Sequence, residues 1–321
     1  MKILITDSST LISNNDISLD IFNTLGDTVI YENIDNDELV REIADTDIIL
    51  CNKTVITKEL MDSAPKLKYI GIFATGFNNI DIPAAKERNI VVCNTADYST
   101  NAVAQQVIGY ILMHYTKIPQ YDTFVKAGNW KKSRNFCTLA FPTDEVFGKT
   151  LGIIGYGSIG RAVEKAALGL GMKVIVYTRT PKADCEAEFV SFDELLERSD
   201  IVTVHCPLNE QSADLFNKES FAKMKKGAFF INTARGGVVD EEALLEALST
   251  EHLSAAAVDV LKSEPMRSDF PLQNAENLII TPHTAWAPLS TRTRLLNLVF
   301  DSLKRFLNGE KVKNLSIEWN E

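Results

Sequence analysis

A guanidinium, a carboxylate and an imidazole stand just beyond strand-like apolar runs in the second half of the chain. Arg235 follows Ala228–Asn232, His283 follows Leu278–Thr281, and Glu264 lies between them. Reduction of a 2-oxoacid needs these groups besides a hydride donor: a cation for the carboxylate and polarised carbonyl, and a proton donor for the nascent alkoxide. The charge of Arg235 is permanent. A histidine can give up a proton near neutral pH and take it back in the reverse direction. Glu264 could pair with His283 and favour the imidazolium form. Taken singly, each has a structural reading: Arg235 as a bridge between loops, Glu264 before Pro265 as a turn carboxylate, His283 as a structural histidine. Among the other histidines, His114 falls on a long helical pattern, His252 in a polar turn, and His205 just before Pro207.

The hydride donor has its own signature. Gly155-Tyr156-Gly157-Ser158-Ile159-Gly160 follows the strand-like Thr150–Ile154 and opens a helix over Arg161–Leu170. The first glycine makes the turn, the second lets backbone approach a pyrophosphate, and the third brings helix close to strand. The helix N-terminus offers N–H groups to the anion. The alternative is a tight turn without a ligand. Eighteen residues past Gly160, where NAD-specific sites usually place a carboxylate, the chain has Thr178-Arg179-Thr180. A forked cation with two hydroxyls suits a 2′-phosphate, so NADP(H) is the preferred cofactor. The hydroxyls leave NAD(H) possible. The alternative for Arg179 is a solvated residue stacked loosely on adenine.

The elements that must position these groups alternate along the whole chain. Strand-length runs at Ile3–Thr6, Thr28–Tyr31, Ile48–Cys51, Tyr69–Phe73 and Ile90–Cys93 are separated by helical patterns at Asp35–Ala44, Thr57–Ser63 and Asp81–Arg88. After the N-cap pair Ser99-Thr100, a helix runs to about Tyr115. A second strand series follows: Thr150–Ile154, Lys173–Tyr177, Ile201–His205, Ala228–Asn232, Ala255–Asp259 and Leu278–Thr281. Ser191 and Glu194 form a capping box, and a last helix at about Thr291–Asn308 ends at Gly309. Such alternation predicts α/β architecture with parallel sheets covered on both faces. Two doubly wound domains are expected. The first comprises 1–98 and 290–321 and is discontinuous; the second is 99–289.

The chain's 321 residues are enough for two cores, at about 100–200 residues per domain. With 33 basic and 43 acidic residues, its net charge of −10 argues against nucleic-acid binding. Cys51, Cys93, Cys137, Cys185 and Cys206 form no C-x-x-C pair and read as reduced thiols in a cytoplasmic protein. No leader is visible ahead of Asp7, and the uncharged Tyr98–Thr116 carries Asn101, Gln105, Gln106 and His114, as a buried helix does rather than a membrane span. No metal-ligand spacing and no G-x-S-x-G occur.

The chain resembles the D-isomer-specific 2-hydroxyacid dehydrogenase family over nearly its whole length, most of all its glycerate dehydrogenase/hydroxypyruvate reductase branch. The residues that carry the likeness are Ala74–Asp81, the Gly155–Gly160 loop, His205-Cys206-Pro207-Leu208, Ile231–Asp240, Asp259-Val260 with Glu264-Pro265, and Pro282-His283-Thr284-Ala285-Trp286. The resemblance implies a Rossmann-type nucleotide domain and a flavodoxin-like substrate domain with an active-site cleft between them. It makes Arg235 the substrate-binding arginine, His283 the acid–base group and Glu264 its support. It also implies cofactor contacts from His205, Cys206, Pro207, Thr233, Ala234, Arg235 and His283, with Asp259 accepting from the nicotinamide carboxamide. Backbone N–H groups of Thr75 and Gly76 are expected to hold a substrate carboxylate. Trp286 should narrow the site, favouring hydroxypyruvate and glyoxylate over phenylpyruvate. The uncharged helix Ser99–Tyr115 suits a two-fold interface, and the resemblance implies a homodimer. Rival readings are a dehydrogenase for a bulkier 2-oxoacid and a dinucleotide-sensing corepressor; formate dehydrogenases lack a glutamate at the position of Glu264. Gln105, Gln106 and Thr284 depart from the family's usual residues without evident catalytic consequence.

Overall fold

Apolar runs too short for helices, and apolar on consecutive residues, have to be buried on both faces, and the computed structural model places them so. It describes residues 1–179 and 187–318. The chain divides into two compact units, Met1–Ser99 with Ala287–Glu321, and Thr100–Trp286.

In the first unit, β1 (Lys2–Ile5), β2 (Asp27–Ile30), β3 (Ile48–Cys51), β4 (Tyr69–Ile72) and β5 (Val91–Cys93) form a parallel sheet in the order β2-β1-β3-β4-β5. That is the flavodoxin-like order. Every residue of β3 and β4 is buried. The helices begin where capping residues allow. Asp35 accepts from the Glu38 N–H ahead of α1 (Asn36–Ile43), Thr57 from Leu60 ahead of α2 (Lys58–Asp62), and Asp81 from Ala84 ahead of α3 (Ile82–Glu87).

The second unit opens with α4 (Thr100–Thr116) and α5 (Ile118–Lys126). Its sheet then alternates β6 (Thr150–Ile154), α6 (Ser158–Gly169), β7 (Lys173–Tyr177), β8 (Glu188–Phe189), α7 (Phe192–Arg198), β9 (Ile201–Val204), α8 (Lys218–Lys223), β10 (Ala228–Asn232), α9 (Glu241–Ser249), β11 (Leu253–Val258) and β12 (Leu278–Ile280). All pairings are parallel, in the order β12-β11-β10-β9-β6-β7-β8. The strand order reverses between β6 and β9, so a crevice opens beyond their carboxyl ends, the usual ligand position of open α/β sheets. The doubly wound α/β reading of the sequence is therefore correct for both sheets.

Finally α10 (Leu289–Leu307) and α11 (Leu315–Glu318) return to the first unit. The buried stripe of α10 is Thr291, Leu295, Leu296, Val299 and Leu303, with Phe300 edge-on to Phe22 and Ser302 bonded to the Tyr69 hydroxyl. Asn314 Oδ1 accepts the Val92 N–H beside β5.

One face of α4, with Ala104, Val107, Tyr110 and Ile111, packs in the core of its own unit, while on another Gln105 and Gly109 are exposed and Ile108 and Leu112 half-buried. Just after α4 the exposed large apolar side chains include Ile118, Trp130 and Phe147, with Phe136 and Leu139 each 91% exposed. Among the described residues, no helix is long and apolar enough to cross a membrane.

Candidate active site

The three glycines of the 155–160 loop do different jobs. Gly155 has φ +92, and a Cβ there would lie 2.6 Å from the Cys206 nitrogen. The loop after β6 thus rests directly on the loop after β9. Gly160 lies inside the first turn of α6, where a Cβ would come within 2.4 Å of the Gly155 carbonyl oxygen. This close packing starts the helix at Ser158, three residues earlier than expected. Gly157 is extended, with φ −80 and ψ −161, and a Cβ there would meet nothing within 4 Å. It also makes no side-chain cap for α6. The geometry is a cradle that a side chain would fill, at an uncapped helix N-terminus, and it fits a pyrophosphate.

Two orphaned polar atoms point the same way. Among the described residues, buried side-chain atoms without a hydrogen-bond partner are few, and they include His205 Nδ1 beyond β9 and Thr233 Oγ1 beyond β10. Native proteins seldom leave such atoms unmatched unless something else binds there. His205 Nε2 meets Thr203 Oγ1 at 3.0 Å. Burial holds its imidazole down at about pKa 3, and lifts the Cys206 thiol. His205 is therefore neutral at ordinary pH and suits a lining role rather than proton transfer. Pro207 O accepts the Ser212 hydroxyl at 2.7 Å, which fixes the start of that loop.

Beyond β7, Thr178 is half-buried and Arg179 exposed. The Arg179 guanidinium donates to the side-chain oxygen of Gln211, a partner the sequence reading missed because it lies 32 positions away. Thr180 and Cys185 lie outside the described residues.

Arg235 stands beyond β10, half-buried. The turn that presents it is pinned by Asn232, whose Oδ1 accepts the Ala234 N–H at 3.0 Å and whose Nδ2 donates to the Arg235 carbonyl at 2.9 Å. One guanidinium N–H goes to the Ala234 carbonyl. Among the described residues no carboxylate lies within 4.0 Å of that guanidinium, so its charge remains available to an anion. The carbonyl of Leu261 passes so near Gly236 that only glycine fits.

His283 and Glu264 meet as the sequence suggested: Nδ1 lies 2.7 Å from Glu264 Oε2. The other oxygen of Glu264 accepts the Leu261 N–H at 3.0 Å, so the carboxylate is held by its own loop. His283 has φ +55, a left-handed setting that L residues rarely take. The carboxylate of Asp259, 2% exposed, accepts the N–H groups of Thr284 and Ala285 and the Thr281 hydroxyl. Thr281 in turn meets the hydroxyl of Tyr110, on α4, whose phenol burial keeps protonated. Neither Tyr110 nor Thr281 was singled out from sequence; a tyrosine amid the apolar residues of α4 was the available signal.

Trp286 is half-buried at the end of this unit. Thr75 and Gly76 belong to the other unit, beyond β4, where Thr75 Oγ1 donates to the Thr95 carbonyl at 2.8 Å and Asn94 Nδ2 donates to the Thr75 carbonyl at 2.6 Å.

Comparison with known proteins gives a consistent result. Residues 108–285 match the family model described as D-isomer specific 2-hydroxyacid dehydrogenase, NAD binding domain. A hydroxypyruvate reductase of Blautia hydrogenotrophica is 37% identical over 97% of this chain and 98% of its own. A glycerate dehydrogenase of Methylorubrum extorquens is 36% identical over 85% and 87%. Among solved structures, an NADPH-dependent glyoxylate/hydroxypyruvate reductase from Sinorhizobium meliloti superimposes with a TM-score of 0.84, at 28% identity over 98% of this chain and 97% of that one.

Proposed function

The chain belongs to the D-isomer specific 2-hydroxyacid dehydrogenase family, and from that premise we propose that it reduces a short 2-oxoacid of the hydroxypyruvate or glyoxylate type to the D-2-hydroxyacid. One observation carries the assignment of roles: a histidine whose Nδ1 is held by a carboxylate at 2.7 Å, on the strand-end side where an arginine has no carboxylate partner. When bound at the glycine loop, a reduced nicotinamide dinucleotide supplies a hydride from its C4 to the substrate C2. Arg235 binds the substrate carboxylate and polarises its carbonyl. Glu264 accepts the Nδ1–H of His283, which turns Nε2 toward the substrate as the proton-donating atom. That proton goes to the oxygen that becomes the hydroxyl. In the reverse direction the same nitrogen takes it back.

Gly155, Gly157, Ser158, Ile159 and Gly160 hold the pyrophosphate, and Thr178 and Arg179 face the adenosine ribose. No carboxylate occupies 177–179, so repulsion against a 2′-phosphate is missing and Arg179 supplies attraction. NADPH is therefore the preferred reductant and NADH a working one. Thr75 and Gly76 contact the substrate carboxylate, and the bulk of Trp286 restricts the substrate beyond C3. The exposed apolar residues between Ile118 and Phe147 are covered in a homodimer.

The test is turnover of hydroxypyruvate, glyoxylate, pyruvate and phenylpyruvate with each reduced cofactor. Highest kcat/KM for hydroxypyruvate or glyoxylate with NADPH supports the reading. Tight dinucleotide binding with no turnover of any 2-oxoacid would overturn it in favour of a sensor.

A further inference from the structure

His283 is held in a left-handed conformation, and the bonds that hold it there lead away from the reacting groups into the core. Its N–H donates to the carbonyls of Asp259 at 2.8 Å and Thr281 at 2.9 Å. The turn then closes on the Asp259 side chain. Oδ1 accepts the Thr284 N–H at 2.9 Å, and Oδ2 the Ala285 N–H at 2.9 Å. The Thr281 hydroxyl also reaches Oδ1. A carboxylate only accepts, so Thr281 must give it its single proton and is left with acceptor capacity alone. The Tyr110 hydroxyl beside it is consequently the donor. Tyr110 is itself buried, in the middle of α4.

We propose that Tyr110, acting through Thr281 and Asp259, is a positioning residue that fixes the backbone turn carrying His283. Every proton in the line is accounted for: Tyr110 gives to Thr281, Thr281 to Asp259, and the two amides beyond His283 to the same carboxylate. A buried carboxylate with three donors has little freedom to move. Fixing it fixes the backbone on both sides of the imidazole, while Glu264 fixes the ring. Helix α4 thereby reaches the reacting centre without touching substrate. The inference rests on His283 being the proton donor for its effect on rate, but the ordering of the turn does not.

The test uses Tyr110→Phe, Thr281→Val and Thr281→Ser in the full-length protein, each first checked for an unchanged melting profile. Amide hydrogen exchange of Thr284 and Ala285, measured without ligand, should speed up in Tyr110→Phe and Thr281→Val and stay protected in Thr281→Ser. At saturating dinucleotide and 2-oxoacid, kcat should fall about two- to tenfold in Tyr110→Phe and about ten- to a hundredfold in Thr281→Val, with dinucleotide KM within twofold. Thr281→Ser should keep kcat within about twofold. Unchanged exchange in Tyr110→Phe and Thr281→Val overturns the proposal, as does a Thr281→Ser variant as impaired as Thr281→Val. Should exchange respond as expected while His283→Ala turns over normally, the turn is as proposed and the acid–base assignment is what fails.

Discussion

Replacing Gly157 by alanine should separate what the glycine loop does for the protein from what it does for a ligand. A Cβ on Gly157 meets no heavy atom within 4 Å, and the backbone there is extended with φ −80. Alanine fits that conformation, and by restricting the unfolded chain it should stabilise by about 0.4–1 kcal/mol. The same methyl fills the space through which a pyrophosphate reaches the backbone. Losing one charge-assisted hydrogen bond to a phosphate costs about 1.5–3 kcal/mol, or about ten- to a hundredfold in Kd. Gly155→Ala and Gly160→Ala behave oppositely, because their Cβ atoms would fall 2.6 Å from the Cys206 nitrogen and 2.4 Å from the Gly155 oxygen. Overpacking of that kind costs about 1–3 kcal/mol, and the left-handed φ of Gly155 adds about 1–2. Thermal melting without ligand and calorimetric titration with NADPH measure the two effects. Gly157→Ala should melt at or slightly above the parent and bind weakly; the other two should melt several degrees lower. A Gly157→Ala protein that binds NADPH like the parent would refute the placement of the pyrophosphate.

Four further outcomes are expected. His283→Ala should lower kcat by about 10²–10⁴-fold while dinucleotide affinity stays near the parent value, as rapid-quench and binding measurements can determine. Arg179→Ala should narrow the NADPH-over-NADH ratio of kcat/KM, and a tenfold NADH preference in the parent would sink the phosphate role of Arg179. Light scattering at micromolar protein should give a dimer mass, with Phe136→Ser and Leu139→Ser together shifting it toward monomer. His114, half-buried, stacked on Phe229 and beside Lys117, is held at about pKa 4; the unfolded chain binds its proton near 6.5. The folded state therefore keeps this contribution above about pH 6.5 and loses it progressively toward pH 4. His114→Phe should flatten the stability–pH slope in that window by one proton, and an unaltered slope would show His114 to be charged in the folded protein.

How far the sequence could be read depended on whether the controlling interaction was local. Ser191 caps α7 through Glu194, as its capping box suggested, and the helices begun by Asp35, Thr57 and Asp81 were legible from their period, their caps also lying three residues away. Strands such as Ile48–Cys51 and Ala228–Asn232 were legible because burial on both faces leaves an unbroken apolar run. Arg235 and His283 stand just past strands, and the pairing of His283 with Glu264 suggested from sequence is present. Longer-range partners were not legible. The Arg179–Gln211 bond and the Tyr110–Thr281 bond join residues 32 and 171 positions apart, and nothing in the spacing of either pair marks it. The apolar character of α4 had two readings, interior or interface, and periodicity cannot distinguish them when most faces are apolar. Packing on α6 accounts for the face with Ala104, Val107 and Ile111, and leaves Gln105, Ile108, Gly109 and Leu112 exposed or half-buried.

Two carboxylates serve His283, and their surroundings explain why they are not interchangeable. Glu264 is about one-third exposed and holds the ring with one oxygen while its second accepts the Leu261 N–H. Asp259 is buried, and among the described residues its carboxylate accepts from backbone N–H groups and a hydroxyl and not from the imidazole. Under the proposed proton transfer, a carboxylate that held both the ring and the turn would couple the backbone to each movement of the proton. In the acid–base role proposed for His283, dividing the work lets the ring cycle between charge states on a backbone that stays still. The order of the chain makes the division possible: Asp259 directly follows β11 beneath the turn, whereas Glu264, five residues on, lies in the loop beyond and meets the ring at Nδ1.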